Sequence, residues 1–369
     1  MSRTLFPSEE RKSPACVRPL LEVEDFSVVF RLPEGRLHAC QNISFDVAKG
    51  ESLGIVGESG SGKSVSVLSM MGLVQGDVSG RLFFKGRPMS SLKPVRGREV
   101  SMVFQNPLNS LNPSLKIGLQ LSEVLIEHLG LSQAEARGRV RSMMERLAIP
   151  DPAALMKRYP FEYSGGMRQR VMIAMAMLCE PSLLIADEPT TALDVTNQAQ
   201  ILHLFRELQE NFGTSLIFIS HDLGVVSQIS QRIMVLYAGR RMEFGPSETL
   251  FSSPLHPYTQ GLLRSIPRLL PEKRKAPLAS ISGNVPGLIH LPGGCRYHPR
   301  CEFVSARCRT EQPPAFHVGR TAVHCWLYEG MSDSVDIPES KCAIPSAHTR
   351  SSSGDVSKGG ADQEKEGWK

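Results

Sequence analysis

The chain has 369 residues, with 42 Lys and Arg against 37 Asp and Glu, a formal net charge of +5 and only 6% aromatic residues. That length suggests two domains or one large domain with an appendage, the 21% of charged residues excludes wholesale disorder, and no long basic block argues for a nucleic-acid partner. The longest unbroken apolar run, Val171 to Cys179, has nine residues, about half of the ~20 that a membrane-crossing helix needs. The charged start (Glu9, Glu10, Arg11, Lys12) does not lead into the apolar stretch of a secretory signal, so composition alone places the protein in the cytosol.

In chain order, residues 1–20 are charged and Pro-containing without periodicity and read as a flexible N-terminus. From Leu21 to Lys49 apolar residues alternate (Leu21, Val23, Phe26, Val28, Phe30; Ile43, Phe45, Val47), which predicts antiparallel strands. Ser52 to Val56 reads as a short buried strand, followed by a Gly-rich turn and a helix from Ser64 to Leu73. A strand-like run, Ser101 to Phe104, precedes Gln105, and two helical segments lie between Ile117 and Leu147, Ser132 and Glu135 fitting a capping box for the second. A helix rich in Met and Ala follows Tyr163-Ser164-Gly165-Gly166-Met167; its Met stripe is expected to be core packing. Strand runs at Leu183–Ala186, Leu216–Ile219 and Ile233–Tyr237 are interrupted by a helix from about Thr196 to Phe212, with Gly213 at its C-cap. Strands alternating with helices predict an α/β fold with a mainly parallel sheet covered on both faces. Beyond Gly245 the pattern breaks up: residues 253–330 are Pro- and Gly-rich with little core of their own, and the Ser-, Gly- and charge-rich residues 331–369 read as a disordered tail.

Gly57-Glu58-Ser59-Gly60-Ser61-Gly62-Lys63-Ser64 fits the phosphate-binding pattern G-x-x-x-x-G-K-S and lies between the strand and helix that the motif requires. Its glycines would let backbone N–H groups turn around a β-phosphate at a helix N-terminus. Lys63 would neutralise β- and γ-phosphate oxygens and the Ser64 hydroxyl would ligate Mg²⁺. Leu183 to Glu188 is an apolar strand ending in two carboxylates: Asp187 would hold the metal or its water, and Glu188 would polarise the water attacking phosphorus. His221 follows the next strand run and comes out on the same sheet edge, where it would touch the γ-phosphate.

Together these motifs resemble the ATP-binding subunits of ABC transporters. In that family's terms Phe30 would stack on adenine, worth roughly 1–3 kcal/mol by analogy with base-stacking platforms. Gly57–Ser64 is Walker A, Gln105 the Q-loop residue and Mg²⁺ contact, Tyr163–Met167 the signature, Leu183–Glu188 Walker B, Ala192-Leu193-Asp194 the D-loop and His221 the switch histidine. The signature departs from the L-S-G-G-Q type at Tyr163 and Met167 but keeps Ser164, Gly165 and Gly166, which in the family approach the nucleotide held by a partner subunit. Met167-Arg168-Gln169-Arg170, His256-Pro257-Tyr258-Thr259, Ser265-Ile266-Pro267 and Pro299-Arg300-Cys301 resemble the oligopeptide/dipeptide (peptide/nickel) importer group. The resemblance implies a P-loop NTPase with an antiparallel β-subdomain. The nucleotide-binding domain would span 21–265, with a helical insertion at about 106–168, and a small cysteine-containing extension would span 266–330. It also implies a homologous second ATPase, two membrane permease subunits, a solute-binding protein reached indirectly, and a place on the cytoplasmic face of the membrane. The substrate would be a di- or oligopeptide, a nickel chelate or another small solute. A soluble ABC ATPase with a redox- or iron-sensing extension is the competing reading.

Four of the eight cysteines, Cys295, Cys301, Cys308 and Cys325, follow the spacing C-x5-C-x6-C-x16-C. In a reducing compartment the cluster reads as a metal site before it reads as disulfides. Spacing alone leaves zinc and an iron–sulfur cubane open, free or occasionally oxidised thiols are a third reading, and His290, His298, His317 and His324 could compete as ligands. The resemblance implies a [4Fe-4S] cluster, and Cys16, Cys40, Cys179 and Cys342 look unrelated to it.

Overall fold

Two neighbouring segments of alternating apolar residues form the first layer. In the computed structural model, which describes residues 18–105, 110–191, 193–266 and 280–331, β1 (Leu21–Leu32) and β2 (Gly35–Val47) pair antiparallel, with Val23 opposite Phe45 and Phe26 opposite Ile43. The sequence alternation skips a residue between Val23 and Phe26, where the register shifts and Asp25 adopts a positive φ of 48°. This bulge keeps Leu21, Val23, Phe26 and Val28 all facing inward. Pairing begins before β1, since the buried Leu20 donates its N–H to Val47. Two strands without a legible pattern, β4 (Asp77–Phe84) and β5 (Arg87–Met89), complete the sheet in the order β2-β1-β4-β5. The first five residues of β4 are exposed, so no alternation marks it.

The second sheet has eight strands in the order β11-β12-β10-β9-β3-β8-β7-β6. Its parallel members are β3 (Ser52–Val56), β6 (Val100–Val103), β7 (Leu183–Asp187), β8 (Ser215–Ser220) and β9 (Arg232–Tyr237), all buried throughout. Alternate residues serve opposite faces. Leu53, Ile55, Ile185, Ile217 and Met234 pack with α1 (Lys63–Met70) and the antiparallel sheet, whereas Val56, Leu184, Phe218 and Val235 pack with the helices of the other layer. That layer includes α2 (Ile117–Leu129), α3 (Gln133–Arg146), the single turn α4 (Pro152–Leu155), α5 (Gly165–Met177), α6 (Val195–Phe212) and α7 (Leu223–Ile229). Ser132 and Glu135 form the expected capping box on α3. On α6, Ile201, Leu204, Phe205 and Leu208 form the buried stripe, and Gly213 ends the helix at φ 63°. Met172 and Met177 of α5 are core.

The C-terminal segment, read from its composition as having little core of its own, packs against the main sheet. After β10 (Arg240–Pro246), α8 (Ser247–Ser252) and α9 (Pro257–Arg264), the chain returns through α10 (Ala306–Thr310), β11 (Phe316–Val318) and β12 (Thr321–Val323) to lengthen the main sheet, Glu243 of β10 lying opposite Val323. Tyr258, Cys295 and Tyr297 are buried in the same core as the sheet. The rings of Tyr237, Tyr258 and Tyr297 pack with centroids 4.7–5.3 Å apart, so the segment borrows a core it could not build alone. Most of the N-terminal stretch, the tail beyond Met331, Ala192, Pro267, Cys16 and Cys342 lie outside the described residues.

Candidate functional site

The carboxyl ends of β3, β8, β7 and β6 lie side by side, so the segments leaving them converge. From β3 runs the loop Gly57–Gly62 into α1. A Cβ at Gly57 would collide with the Leu236 carbonyl, and one at Gly62 with that of Ala39, so backbone approach alone demands glycine at both. Lys63 is buried and curls over this loop, donating to the Gly57 carbonyl at 2.8 Å, the Glu58 carbonyl at 3.0 Å and Ser61 Oγ at 3.5 Å. Burial pushes its ammonium pKa down, against the opposing pull of Glu188, Asp187 and Glu58. Ser59 and Gly60 are exposed at the loop's crest.

Ser64 Oγ donates to Asp187 Oδ1 at 2.8 Å, joining α1 to the end of β7. Asp187 is buried, and burial pushes its carboxyl above the ordinary range, aided by neighbouring Glu188 and opposed by the Ser64 hydroxyl and Lys63. A hydroxyl beside a desolvated carboxylate is an oxygen donor set suited to Mg²⁺. Glu188 Oε2 is the meeting point of three elements: it accepts from Gln105 Nε2 at 3.0 Å and from Thr191 Oγ1 at 2.9 Å, and it lies 3.2 Å from His221 Nδ1. Glu188 holds a left-handed φ of 46°, a conformation costing of order 1–3 kcal/mol that tends to persist where function requires it. Gln105, Lys63, Ser64, Asp187, Glu188 and His221 therefore form one connected edge.

The other expected residues fall elsewhere. Ser164 caps α5, accepting from Met167 N at 3.4 Å, and Ser164 and Gly165 are exposed. Asp194 caps α6 through Asn197 N at 2.9 Å, and the Asn197 side chain lies against Gly166. The signature and D-loop segments thus abut each other, their helix N-termini open to solvent. Phe30 sits half-buried on β1 with its ring edge at Gly76, in the antiparallel sheet.

Cys295, Cys301, Cys308 and Cys325 line one cavity of about 160 Å³, together with His256, His298, Tyr297 and Trp326. Of the four candidate histidines only His298 borders it; His256, which caps α9, was not anticipated. Burial pushes the Cys295 thiol up to about 12 and Cys325 up to about 11, so as free thiols they stay neutral. Among the described residues no three His, Cys, Asp or Glu side chains converge as ligands of a single ion. Cys40 is buried in β2, away from this cavity's lining, and Cys179 follows α5. Sequence reasoning also missed what holds Glu58: its N–H donates to Tyr258 Oη at 2.9 Å and its carboxylate pairs with Arg300 at 2.7 and 3.1 Å. Contacts across 200 and more positions leave no local signal.

Comparison with known proteins agrees with this edge. Residues 40–191 match the ABC transporter family and 242–308 the oligopeptide/dipeptide transporter C-terminal region. The chain is 48% identical over 317 residues to the oligopeptide transport ATP-binding protein OppD of Salmonella typhimurium, covering 84% of this chain and 94% of that one. It is 45% identical over 320 residues to the dipeptide transport ATP-binding protein DppD of Bacillus subtilis, covering 84% and 95%. Its fold matches the ATP-binding cassette MJ0796, solved as a dimer bound to ADP and Pi, with a TM-score of 0.56 and 25% identity over 62% of this chain and 98% of that one. No helix among the described residues is long and apolar enough to cross a membrane. The chain belongs to the ATP-binding subunits of ABC transporters, in the group that carries the oligopeptide/dipeptide C-terminal region.

Proposed function

We propose that this subunit hydrolyses ATP to drive import of di- or oligopeptides through a membrane permease. The observation that carries the reading is the Glu188 carboxylate, gathered with Gln105, Thr191 and His221 beside the Lys63–Ser64–Asp187 cradle. Lys63 grips the phosphates, Glu188 accepts the proton of the attacking water, and His221 and Gln105 hold that carboxylate in line with the γ-phosphate. Ser64, Asp187 and Gln105 would hold Mg²⁺, which supplies charge neutralisation on the phosphate oxygens. Phe30 offers the adenine a ring face. The exposed cap of α5, with Ser164, Gly165 and Gly166, and the neighbouring Asp194 suit the nucleotide of a second, homologous ATPase, consistent with the dimer in which MJ0796 was solved. Closing two such sites performs the work on two permease subunits at the cytoplasmic face of the membrane, with a solute-binding protein delivering the substrate. Residues 21–265 serve as the nucleotide-binding unit and 266–330 as its extension.

The extension's four cysteines line one cavity, and of the groups that four thiolates can hold, we take a [4Fe-4S] cluster, as the family resemblance implies, over zinc. Such a cluster supplies a cross-link between the four chain segments. Two measurements test the reading. Complexes captured from solubilised membranes should contain permease subunits, and their ATP turnover in vesicles should rise with peptide; stimulation by nickel chelates alone, or no permease, overturns the peptide assignment. Anaerobically purified protein should be brown and contain iron and acid-labile sulfide; a colourless, iron-free protein whose four thiols all react overturns the cluster.

A further inference from the structure

Glu58 occupies the second position of the phosphate loop, where the pattern asks for no particular side chain, yet it is held on three sides. Its carbonyl accepts from Lys63 Nζ and from Ser61 N at 3.1 Å, both within the loop. The other two holds come from the C-terminal part of the chain: Tyr258 Oη takes its N–H, and Arg300 pairs with its carboxylate through both terminal nitrogens. The Arg300 side chain is only 4% exposed and Glu58 28%. Arg300 is itself fully committed, since Nε donates to the Ser282 carbonyl at 2.8 Å, Nη1 also reaches Tyr237 Oη at 3.3 Å and Nη2 also reaches the Ile281 carbonyl at 3.2 Å. Each of the guanidinium's N–H groups thus has an acceptor, a planar fork that a lysine cannot reproduce. Arg300 stands immediately before Cys301, so the cavity lined by the cysteines and the loop that receives the phosphates are joined through adjacent residues.

We propose that Arg300 is a positioning residue for nucleotide binding: the C-terminal segment sets the shape of the phosphate loop through the Arg300–Glu58 fork, seconded by Tyr258. This rests on the reading of Gly57–Ser64 as the ATP site. The fork touches the loop's backbone geometry and not the groups that act on the attacking water, so its loss weakens binding of ground state and transition state alike. KM for ATP then rises while kcat at saturation changes little.

The test uses the intact transporter with Arg300→Lys, Glu58→Gln and the double substitution, measuring ATP KM, kcat and thermal midpoint. Each single substitution should raise KM about three- to thirty-fold, the range of couplings carried by contact networks. The double substitution should raise it no further than the worse single one, because both remove the same fork. Wild-type KM in both single variants, or effects that multiply in the double, overturns the proposal. If Arg300→Lys does not assemble, Glu58→Gln decides alone: it is close to isosteric and lies at the surface of the loop, so an unchanged KM refutes the fork's role. A wild-type complex that binds no ATP would instead refute the assignment of the site.

Discussion

Replacing Glu188 with glutamine alters one atom and one charge, and the structure separates what that should cost from what it should spare. The three neighbours of the carboxylate, Gln105, Thr191 and His221, all meet Oε2, at 2.9–3.2 Å, and an amide carbonyl can take its place. Neutral bonds are about half as strong as charge-assisted ones, but the pocket keeps its shape, so the thermal midpoint should fall by no more than about 2–4 °C, the equivalent of 1 kcal/mol in a domain of this size. The lost function is proton acceptance, which is worth 10²- to 10⁴-fold in general-base catalysis, or about 3–5 kcal/mol at 1.36 kcal/mol per decade. ATP affinity should be retained or improve, because a carboxylate is removed from the region that receives phosphate. The assay pairs steady-state ATP turnover by the assembled transporter with equilibrium ATP binding to the same preparation. Turnover within tenfold of wild type, or loss of binding in parallel with turnover, would refute the role given to Glu188.

Asp187→Asn should abolish Mg²⁺-dependent turnover yet raise the thermal midpoint of the nucleotide-free protein at neutral pH. The folded pKa of Asp187 is raised by burial, so its ionised form is penalised by folding. That penalty applies in full above the folded pKa and fades as pH falls to the unfolded value near 4. The midpoints of variant and wild type should therefore converge on acidification, and a variant less stable than wild type at pH 7 contradicts the argument. His221→Ala removes an exposed ring that touches Glu188; kcat should fall by at least about tenfold with the urea midpoint unchanged, and equal losses of both would make His221 structural. Arg232 pairs with Asp46 at 3.0 Å and Glu51 at 2.5 Å, all three nearly inaccessible. Arg232→Met leaves two carboxylates buried without their cation, so urea denaturation should report a loss of about 3–5 kcal/mol; a loss below about 1 kcal/mol would show that water reaches the pair.

The parallel sheet was legible because its strands are buried on both faces and its helices are amphipathic, so apolar runs and a 3.6-residue stripe marked β3, β7, β8, β9 and α6 almost to the residue. The strands that escaped carry charge for reasons outside their own sequence. In β10, Arg241 bonds the Ser44 carbonyl and Glu243 accepts the N–H groups of Leu255 and His256. Their burial is satisfied by distant partners, and a local window reads them as solvated. The hairpin β11–β12 is too short for periodicity to declare itself. The site residues stood out for the opposite reason: loop, strand end and histidine each follow a recognisable strand, and the parallel topology alone brings those ends together.

The C-terminal segment shows what composition conceals. Its Pro- and Gly-rich sequence lacks an apolar periodicity, which describes a segment without a core of its own, but docking orders a segment as well as internal packing does. Tyr258, Tyr297 and Arg300 supply the docking, and all three lead to Tyr237 at the end of β9 or to Glu58 at the end of β3. Both positions lie on the carboxyl edge of the sheet, next to the phosphate loop. A segment needed only to cover the sheet's edge could have done so through β12 and β10, whose pairing lies on the outer side. Instead two of its polar contacts, those of Tyr258 and Arg300, of the kind whose loss leaves a desolvated partner unsatisfied, are directed at Glu58 of the phosphate loop. Order in the cysteine-bearing segment and the conformation of the phosphate loop are therefore linked by contact, and a perturbation of one should be felt at the other.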